Sequence, residues 1–228
     1  MGFSLDNIVP WGRSFDEYLQ MFALTADELN DTHLDCAGGP ASFNAVMARR
    51  GRSVISCDPI YQFSPEQIRD RIRETYPVIL EQLRNNAGDY IWTKMRSPEH
   101  LGDIRMAAMD EFLADFPQGV AAGRYIDAEL PDLPFNSQQF DRALCSHFLF
   151  SYGDRLSEDF HRQSILELCR VAREVRLFPL VTISGETPPF LESLIAELAG
   201  RGYAADIRTV PYQFQIGGNR MLKIYPAA

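Results

Sequence analysis

The chain has little that would staple it, anchor it or draw it to a polyanion. Only four of its 228 residues are cysteine (Cys36, Cys57, Cys145 and Cys169), and no C-x-x-C pair occurs. A disulfide framework and a zinc-type site are therefore not expected, and the thiols read as small buried hydrophobes. The four histidines show no H-x-x-x-H spacing, so no metal ligand is assigned. Basic residues are outnumbered 22 to 31, the net charge is −9, and there is no Lys/Arg block. That balance argues against a nucleic-acid partner, whose phosphates need a basic face. No apolar run approaches the roughly 20 residues of a membrane span. The opening Met1-Gly2-Phe3-Ser4-Leu5-Asp6 lacks the regions of a signal peptide and a Ser/Thr at the sixth position for myristoylation. A cytoplasmic protein with no membrane partner is expected. Neither an internal repeat nor a low-complexity segment is present.

What the chain does have is enough length for one large α/β domain, with 46% hydrophobic and 23% charged residues, ordinary for a globular protein. Its most informative stretch is Leu34-Asp35-Cys36-Ala37-Gly38-Gly39-Pro40-Ala41-Ser42-Phe43, followed by Val54-Ile55-Ser56-Cys57-Asp58. An acid closes a short apolar run, a turn of small residues and a helix follow, and a second apolar run ends in another acid. This is a β-turn-α-β unit suited to a nucleoside. Small residues let the backbone approach a ligand, and the second acid can accept hydrogen bonds from two ribose hydroxyls. Asp58 lies 23 residues after Asp35, near the roughly 20-residue offset of a ribose-binding acid. A dinucleotide fold wants G-x-G-x-x-G. Here the third glycine is missing, and Pro40 removes an N–H that a phosphate would use, so an NAD-dependent oxidoreductase is disfavoured.

The turn resembles motif I (D-x-G-x-G-x-G) of the class I S-adenosylmethionine (SAM)-dependent methyltransferases, with Asp35, Ala37, Gly39 and Ala41 on the marked positions. Later segments resemble the same family in order. Tyr125 to Phe135 looks like the stretch after strand three that reads adenine through Asp127 and the following Ala128. Phe140-Asp141-Arg142-Ala143-Leu144-Cys145-Ser146-His147 looks like strand four. Glu174 to Leu180 looks like strand five, and Ile207–Val210 with Met221–Tyr225 like an antiparallel closing pair. The resemblance spans most of residues 32 to 228. It implies a three-layer α/β sandwich with a mostly parallel seven-stranded sheet, and SAM as cofactor with S-adenosylhomocysteine as product. SAM would lie over Ala37, Gly38 and Gly39 beside Asp35, with its ribose at Asp58 and Pro59, its adenine at Asp127 and Ala128, and Cys145 and Ser146 alongside.

Residues 1–31 form an expected N-terminal helical cap before the α/β domain of 32–228. Ser14 and Glu17 fit a capping box for a helix through Tyr18, Met21, Phe22 and Leu24, and Thr25 with Glu28 opens a second turn. A helix is expected from about Pro40 to Arg50, stopped by Gly51. Between Asp58 and Asp127 there are more residues than one crossover needs, and the surplus is helical. Ser64-Pro65-Glu66 opens one segment, ended by Asn85-Asn86-Ala87-Gly88. Ser97-Pro98-Glu99 opens another, ended by Pro117 to Gly119. This helical insertion after strand two, about 64–119, is placed to act as a lid or substrate pocket, or else as packing only.

His147 is the candidate general base, because it follows strand four, where the family faces its substrate. Trp11, Arg13, Tyr18 and Tyr152 are candidates to cap substrate or cofactor, with Arg13 pairing a carboxylate. The N/D-P-P-Y/F pattern of amino-methylating nucleic-acid enzymes, the P-C nucleophile of cytosine-5 enzymes and the Asp of metal-dependent O-methyltransferases are all absent. The expectation is a metal-independent methyltransferase for a small-molecule acceptor. The competing reading is a non-catalytic SAM- or nucleoside-binding accessory or regulatory protein. Acceptor identity, the atom methylated and the oligomeric state are left open.

Overall fold

Every strand read from the sequence is present in the computed structural model, which describes residues 9–153 and 155–227. The first eight residues of the expected cap and residues 154 and 228 lie outside the described residues. The strands are β1 (His33–Cys36), β2 (Val54–Cys57), β3 (Tyr125–Ile126), β4 (Phe140–Ser146), β5 (Ala172–Phe178), β6 (Tyr203–Thr209) and β7 (Arg220–Pro226). They form one seven-stranded sheet in the order β3-β2-β1-β4-β5-β7-β6. Strands β1 to β5 run parallel, and β7 is antiparallel to both β5 and β6. The chain builds outward from β1 in one direction, then returns to β4 and builds in the other. The carboxyl ends of β1 and β4 therefore flank a topological switch point, where open α/β sheets form their ligand crevice.

Helices cover both faces. On one side, α1 (Phe15–Met21), α2 (Phe43–Arg49) and parts of α3 (Pro65–Asn85) and α4 (Pro98–Ala121) share a core around Phe43, Met47 and Leu144. On the other, α5 (Glu158–Val171) and α6 (Leu191–Gly200) pack Ile165, Leu168, Leu194 and Leu198 against Val175 and Leu177. Both α3 and α4 lie between β2 and β3. Helix α4 packs on α2 and β3, as a crossover helix does, whereas α3 packs on α4. Residues Tyr61, Ile68, Ile72, Phe112 and Phe116 fill the space between them.

The capping signals hold. Ser14–Glu17 and Ser64–Gln67 form reciprocal capping boxes, Thr25 and Glu28 exchange backbone-to-side-chain bonds, and Ser97 caps α4. Strands β5 and β6 begin two and four residues earlier than read, at Ala172 and Tyr203, and three helix boundaries differ from expectation. Helix α1 stops at Met21, because Ala23 is left-handed at φ 47° and turns Leu24 out of the helix. Helix α2 begins at Phe43, leaving Pro40 in the preceding turn. Helix α4 runs through Pro117 to Ala121, and the left-handed residue beyond it is Gly123 at φ 69°. A proline inside a helix removes one N–H donor, and here the flanking packing of Phe116 and Gly119 carries the helix past it.

Away from the crevice, three acids and three bases interlock near the amino ends of the strands. Arg142 contacts Asp31 at 2.8 Å, Glu174 at 2.7 Å and Glu28 at 3.1 Å. Arg176 pairs with Glu28 and, at 2.7 Å, with Glu174, which also holds Lys223 at 2.6 Å. Because Glu28 and Asp31 precede β1, this network ties the N-terminal segment to the sheet.

Candidate functional site

The turn after β1 is shaped from beneath. Asp35 is fully buried. It accepts a hydrogen bond from Tyr18 Oη at 2.8 Å and another from Ser56 Oγ at 3.0 Å. Burial pushes its carboxyl up to about 7, against the pull of those two bonds. A Cβ on Gly38 would come within 2.2 Å of Asp35 Oδ2, so only glycine fits directly over the acid. On either side of Gly38, Ala37 and Gly39 adopt left-handed backbone at φ 55° and 54°. For alanine this is a strained conformation, of the kind that clusters at ligand sites.

Asp58, at the end of β2, braces the same turn from the side. One carboxylate oxygen accepts from the Gly39 N–H and the other from the Ile60 N–H, both at 2.9 Å. Each oxygen keeps a second acceptor site. Burial raises its pKa, with Asp127 and Glu129 adding to the effect and the two backbone bonds opposing it. Tyr61 Oη donates to the Gly39 carbonyl at 2.8 Å and fixes the turn from a third direction.

Above the turn opens a cavity of about 1180 Å³. Its floor is Ala37, Gly38, Gly39, Asp58 and Pro59, and one wall comes from Ala128, Glu129, Leu130 and Pro131. Helix α3 supplies a second wall through Ile68, Arg71, Ile79 and Leu83. The far wall is Tyr90 with Tyr212, Phe214 and Gln215 from the β6–β7 connection. The chain between α3 and α4 is bound to that connection. Ile91 donates to the Phe214 carbonyl at 2.7 Å, Ile216 donates to Asp89 at 3.0 Å, and the rings of Tyr90 and Phe214 stack at 4.6 Å.

His147 stands at the crevice just past β4, left-handed at φ 52°. Its N–H donates to the Phe178 carbonyl at 2.6 Å, and Nδ1 lies 2.8 Å from Ser146 Oγ. That engages Nδ1 and leaves Nε2 as the other ring nitrogen. Burial, and then the charges of Arg13 and Arg105, hold its pKa well below the usual 6.5, so the ring is neutral at neutral pH. Trp11, Arg13, Tyr18 and Tyr152 also line the cavity. Arg13 Nη1 donates to the Trp11 carbonyl, Nε has no partner, and burial followed by the charge of Arg105 lowers the guanidinium pKa to about 10.

Of the residues singled out from the sequence, Ala37, Gly38, Gly39, Asp58, Pro59, Ala128, Ser146, His147 and the four cap candidates line one cavity. Asp35 and Cys145 are buried beside it, and Asp127 is exposed. Cys36, Cys57 and Cys145 lie in register on β1, β2 and β4, and no metal-binding group of His, Cys, Asp or Glu occurs among the described residues. Sequence reasoning missed Tyr90, Tyr212, Phe214 and Gln215. The signal available was the pair of aromatics at Tyr212 and Phe214 in a connection between two strands.

No family model matches the chain. A protein of Methanocaldococcus jannaschii described as "Uncharacterized protein MJ0045" is 32% identical over 222 residues, covering 97% of each chain. Among solved structures, the magnesium protoporphyrin IX methyltransferase of Synechocystis PCC 6803 with bound SAM aligns at 13% identity over 87% of this chain and 71% of its own, with a TM-score of 0.43. The mitomycin 7-O-methyltransferase MmcR aligns at 13% identity over 93% of this chain and 54% of its own, with a TM-score of 0.49.

Proposed function

The chain belongs to one family with the Methanocaldococcus jannaschii protein MJ0045, and we propose that in this chain the cavity serves a SAM-dependent methyltransferase acting on a small molecule. The observation that carries the reading is the Asp58 carboxylate, hydrogen-bonded at 2.9 Å to the Gly39 N–H of the small-residue turn, on the floor of a cavity at the switch point. The residues present fit the cofactor. Asp58 keeps acceptor capacity for two ribose hydroxyls, and Gly39 leaves open the space beside it, where an added Cβ would stand 3.9 Å from Asp58 Oδ2. Ala128 and Leu130 offer an apolar wall to a base, and nothing in the turn is arranged for a pyrophosphate.

When bound, SAM supplies an electrophilic methyl group on a sulfonium. The chain's part is to position and to exclude water. The turn and Asp58 fix the nucleoside, while α3 and the Tyr90–Phe214 contact wall the crevice from solvent. His147, in the neutral tautomer whose Nδ1–H donates to Ser146 Oγ while that hydroxyl donates to Met21 Sδ, can take a proton at Nε2 from an acceptor hydroxyl or amine. Tyr152 and Trp11 line the same space and orient the acceptor. No residue cluster for a metal is part of this reading, nor is a nucleic-acid partner, given a net charge of −9 and a sequence without a Lys/Arg block. No helix among the described residues is long and apolar enough to cross a membrane, and a cytoplasmic setting belongs to the proposal.

Calorimetric titration with SAM and S-adenosylhomocysteine, followed by a screen for S-adenosylhomocysteine release with candidate acceptors, tests the reading. Failure of the purified chain to bind either nucleoside overturns it. Binding without turnover across the screen favours a non-catalytic SAM-binding accessory protein instead.

A further inference from the structure

One guanidinium in the cavity has no ion-pair partner among the described residues, although the lining also carries the acids Asp58, Asp70, Glu74 and Glu129. Among the described cavity-lining residues the cations are Arg13 and Arg71. Arg71 is half-exposed and pairs with Glu74 at 3.2 Å, so water and its neighbour account for it. Arg13 is different. Among the described residues its side chain's one hydrogen bond is to the Trp11 carbonyl, its Nε is buried without a partner, and no carboxylate lies within ion-pair distance. A desolvated guanidinium with unused donors is costly to keep unless something satisfies it.

The nearby acids are already engaged. Glu17 binds Arg105 and the Ser14 N–H through Oε2, and accepts from Tyr212 Oη at 2.9 Å through Oε1. Asp35 is engaged by Tyr18 and Ser56, and Asp58 by Gly39 and Ile60, its remaining acceptor sites being those assigned above to ribose. Glu17 acts on Arg13 at longer range, but its bonds go to Arg105, so two buried guanidiniums share one carboxylate and Arg13 has no direct ion pair among the described residues.

Position says which ligand would supply the missing charge. The field of Arg13 reaches His147, Tyr152 and Tyr212 as well as Glu17 and Tyr18, so its charge lies where α1 meets the end of β4 and the β6–β7 connection. The volume of about 1180 Å³ exceeds that of a usual pocket for one small ligand, about 300–1,000 Å³. The cavity therefore has room for a second molecule beside a nucleoside held at Asp58. Trp11, Tyr90, Tyr212 and Phe214 are aromatic members of the cavity's lining.

We propose that the methyl acceptor is an aromatic oxyanion, a carboxylate or phosphate ester on a flat apolar body, and that Arg13 is the specificity residue that pairs it. This rests on the methyltransferase reading above. A planar guanidinium can take two oxygens of such a group at once, and the aromatic walls take the ring. Paired in this way, the acceptor is held within the region where His147 meets the reacting hydroxyl or amine. A neutral acceptor of the same shape would leave Arg13 as exposed to its own desolvation as before, so the site would reject it.

The test uses the full chain loaded with S-adenosylhomocysteine and titrated with benzoate, phenyl phosphate and benzamide as probes. We expect at least one of the two anions to bind about tenfold or more tightly than benzamide, the advantage of a charge-assisted pair over a neutral contact. In Arg13→Gln that preference should vanish, while Arg13→Lys should keep part of it. Affinity for S-adenosylhomocysteine should stay within about threefold in both variants. Equal binding of all three probes, or binding of none, overturns the proposal. A tenfold or greater loss of S-adenosylhomocysteine affinity in Arg13→Gln also overturns it, since the guanidinium would then serve the carboxylate of the cofactor. If the wild-type chain does not bind S-adenosylhomocysteine at all, the methyltransferase reading fails first and this inference fails with it. The comparison of anion with amide in the wild type needs no variant, so misfolding of Arg13→Gln does not blunt the test.

Discussion

Asp58 and Gly39 are joined across the ends of two strands, with the Gly39 N–H donating to Asp58 Oδ2 at 2.9 Å. The acid at the end of β2 is thus a structural part of the turn after β1 as well as a candidate ribose ligand. Asp58→Ala removes both roles. SAM affinity should fall about tenfold or more, as expected for losing hydrogen bonds to a charged group. Asp58→Asn, which keeps one acceptor oxygen, should fall less. Calorimetry on the folded variants decides, and unchanged affinity would take Asp58 out of the site.

For His147 the direction of the pKa shift sets the pH profile. Burial, reinforced by Arg13 and Arg105, keeps the ring neutral to well below pH 6.5. Turnover should accordingly be level in this limb through neutral pH and decline only in clearly acidic solution. His147→Ala should lower turnover by about 10²–10⁴ and leave SAM affinity nearly intact. Arg13→Gln removes a neighbouring positive charge, so the acidic limb should move to higher pH. A wild-type limb centred at or above 6.5 would contradict the buried, neutral ring as the base.

Helix α3 packs chiefly on α4 and lines the cavity, reaching the sheet's core through Ile79 and Leu83. If it closes over ligand, hydrogen exchange within 65–85 should slow when S-adenosylhomocysteine and an acceptor are both present, more than in α5 or α6. Uniform protection across all helices would instead make α3 a packing element.

Acid should destabilise the protein in two windows. Burial, together with the charge of Arg142, lowers the His33 pKa from 6.5 to about 4, so the unfolded chain binds its proton first. Stability present above pH 6.5 is lost as pH falls toward 4. Glu174 is held down from 4.5 to about 2. Burial alone would raise it, but bonds from Arg142 and Lys223 more than offset that. Its contribution is full above 4.5 and lost as pH falls through 2. Urea unfolding midpoints should fall across both ranges. His33→Gln should flatten the upper window and Glu174→Gln the lower one; parallel slopes in the variants would show that other groups control acid unfolding.

The strands and caps were legible because they depend on local chemistry. Apolar runs closed by Asp35 and Asp58, and Ser–x–x–Glu/Gln pairs at helix starts, need only neighbours a few residues away. The small-residue turn and the acid at the end of β2 were legible for the same reason. Boundaries set by tertiary packing were not. Pro117 reads as a helix end, yet Phe116 and Gly119 are packed well enough to carry α4 past it. The far wall was hidden because Tyr90 and Phe214 are more than a hundred residues apart, and only the fold stacks them. The isolation of Arg13 was equally invisible: its sequence neighbours include Asp16 and Glu17, and the structure commits Glu17 to Arg105.

The charge network near the amino ends of the strands bears on how this molecule could be altered. Arg142, Arg176 and Lys223 find their partners in Glu28, Asp31 and Glu174, none of which touches the cavity. The scaffold is consequently self-fastening at the end away from the ligand. The line between what can be exchanged and what must be kept runs across the strands at mid-length, not between one segment of chain and another. Loops above that line are open to grafting and redesign, while a single charge reversal below it should spread through every member of the lattice.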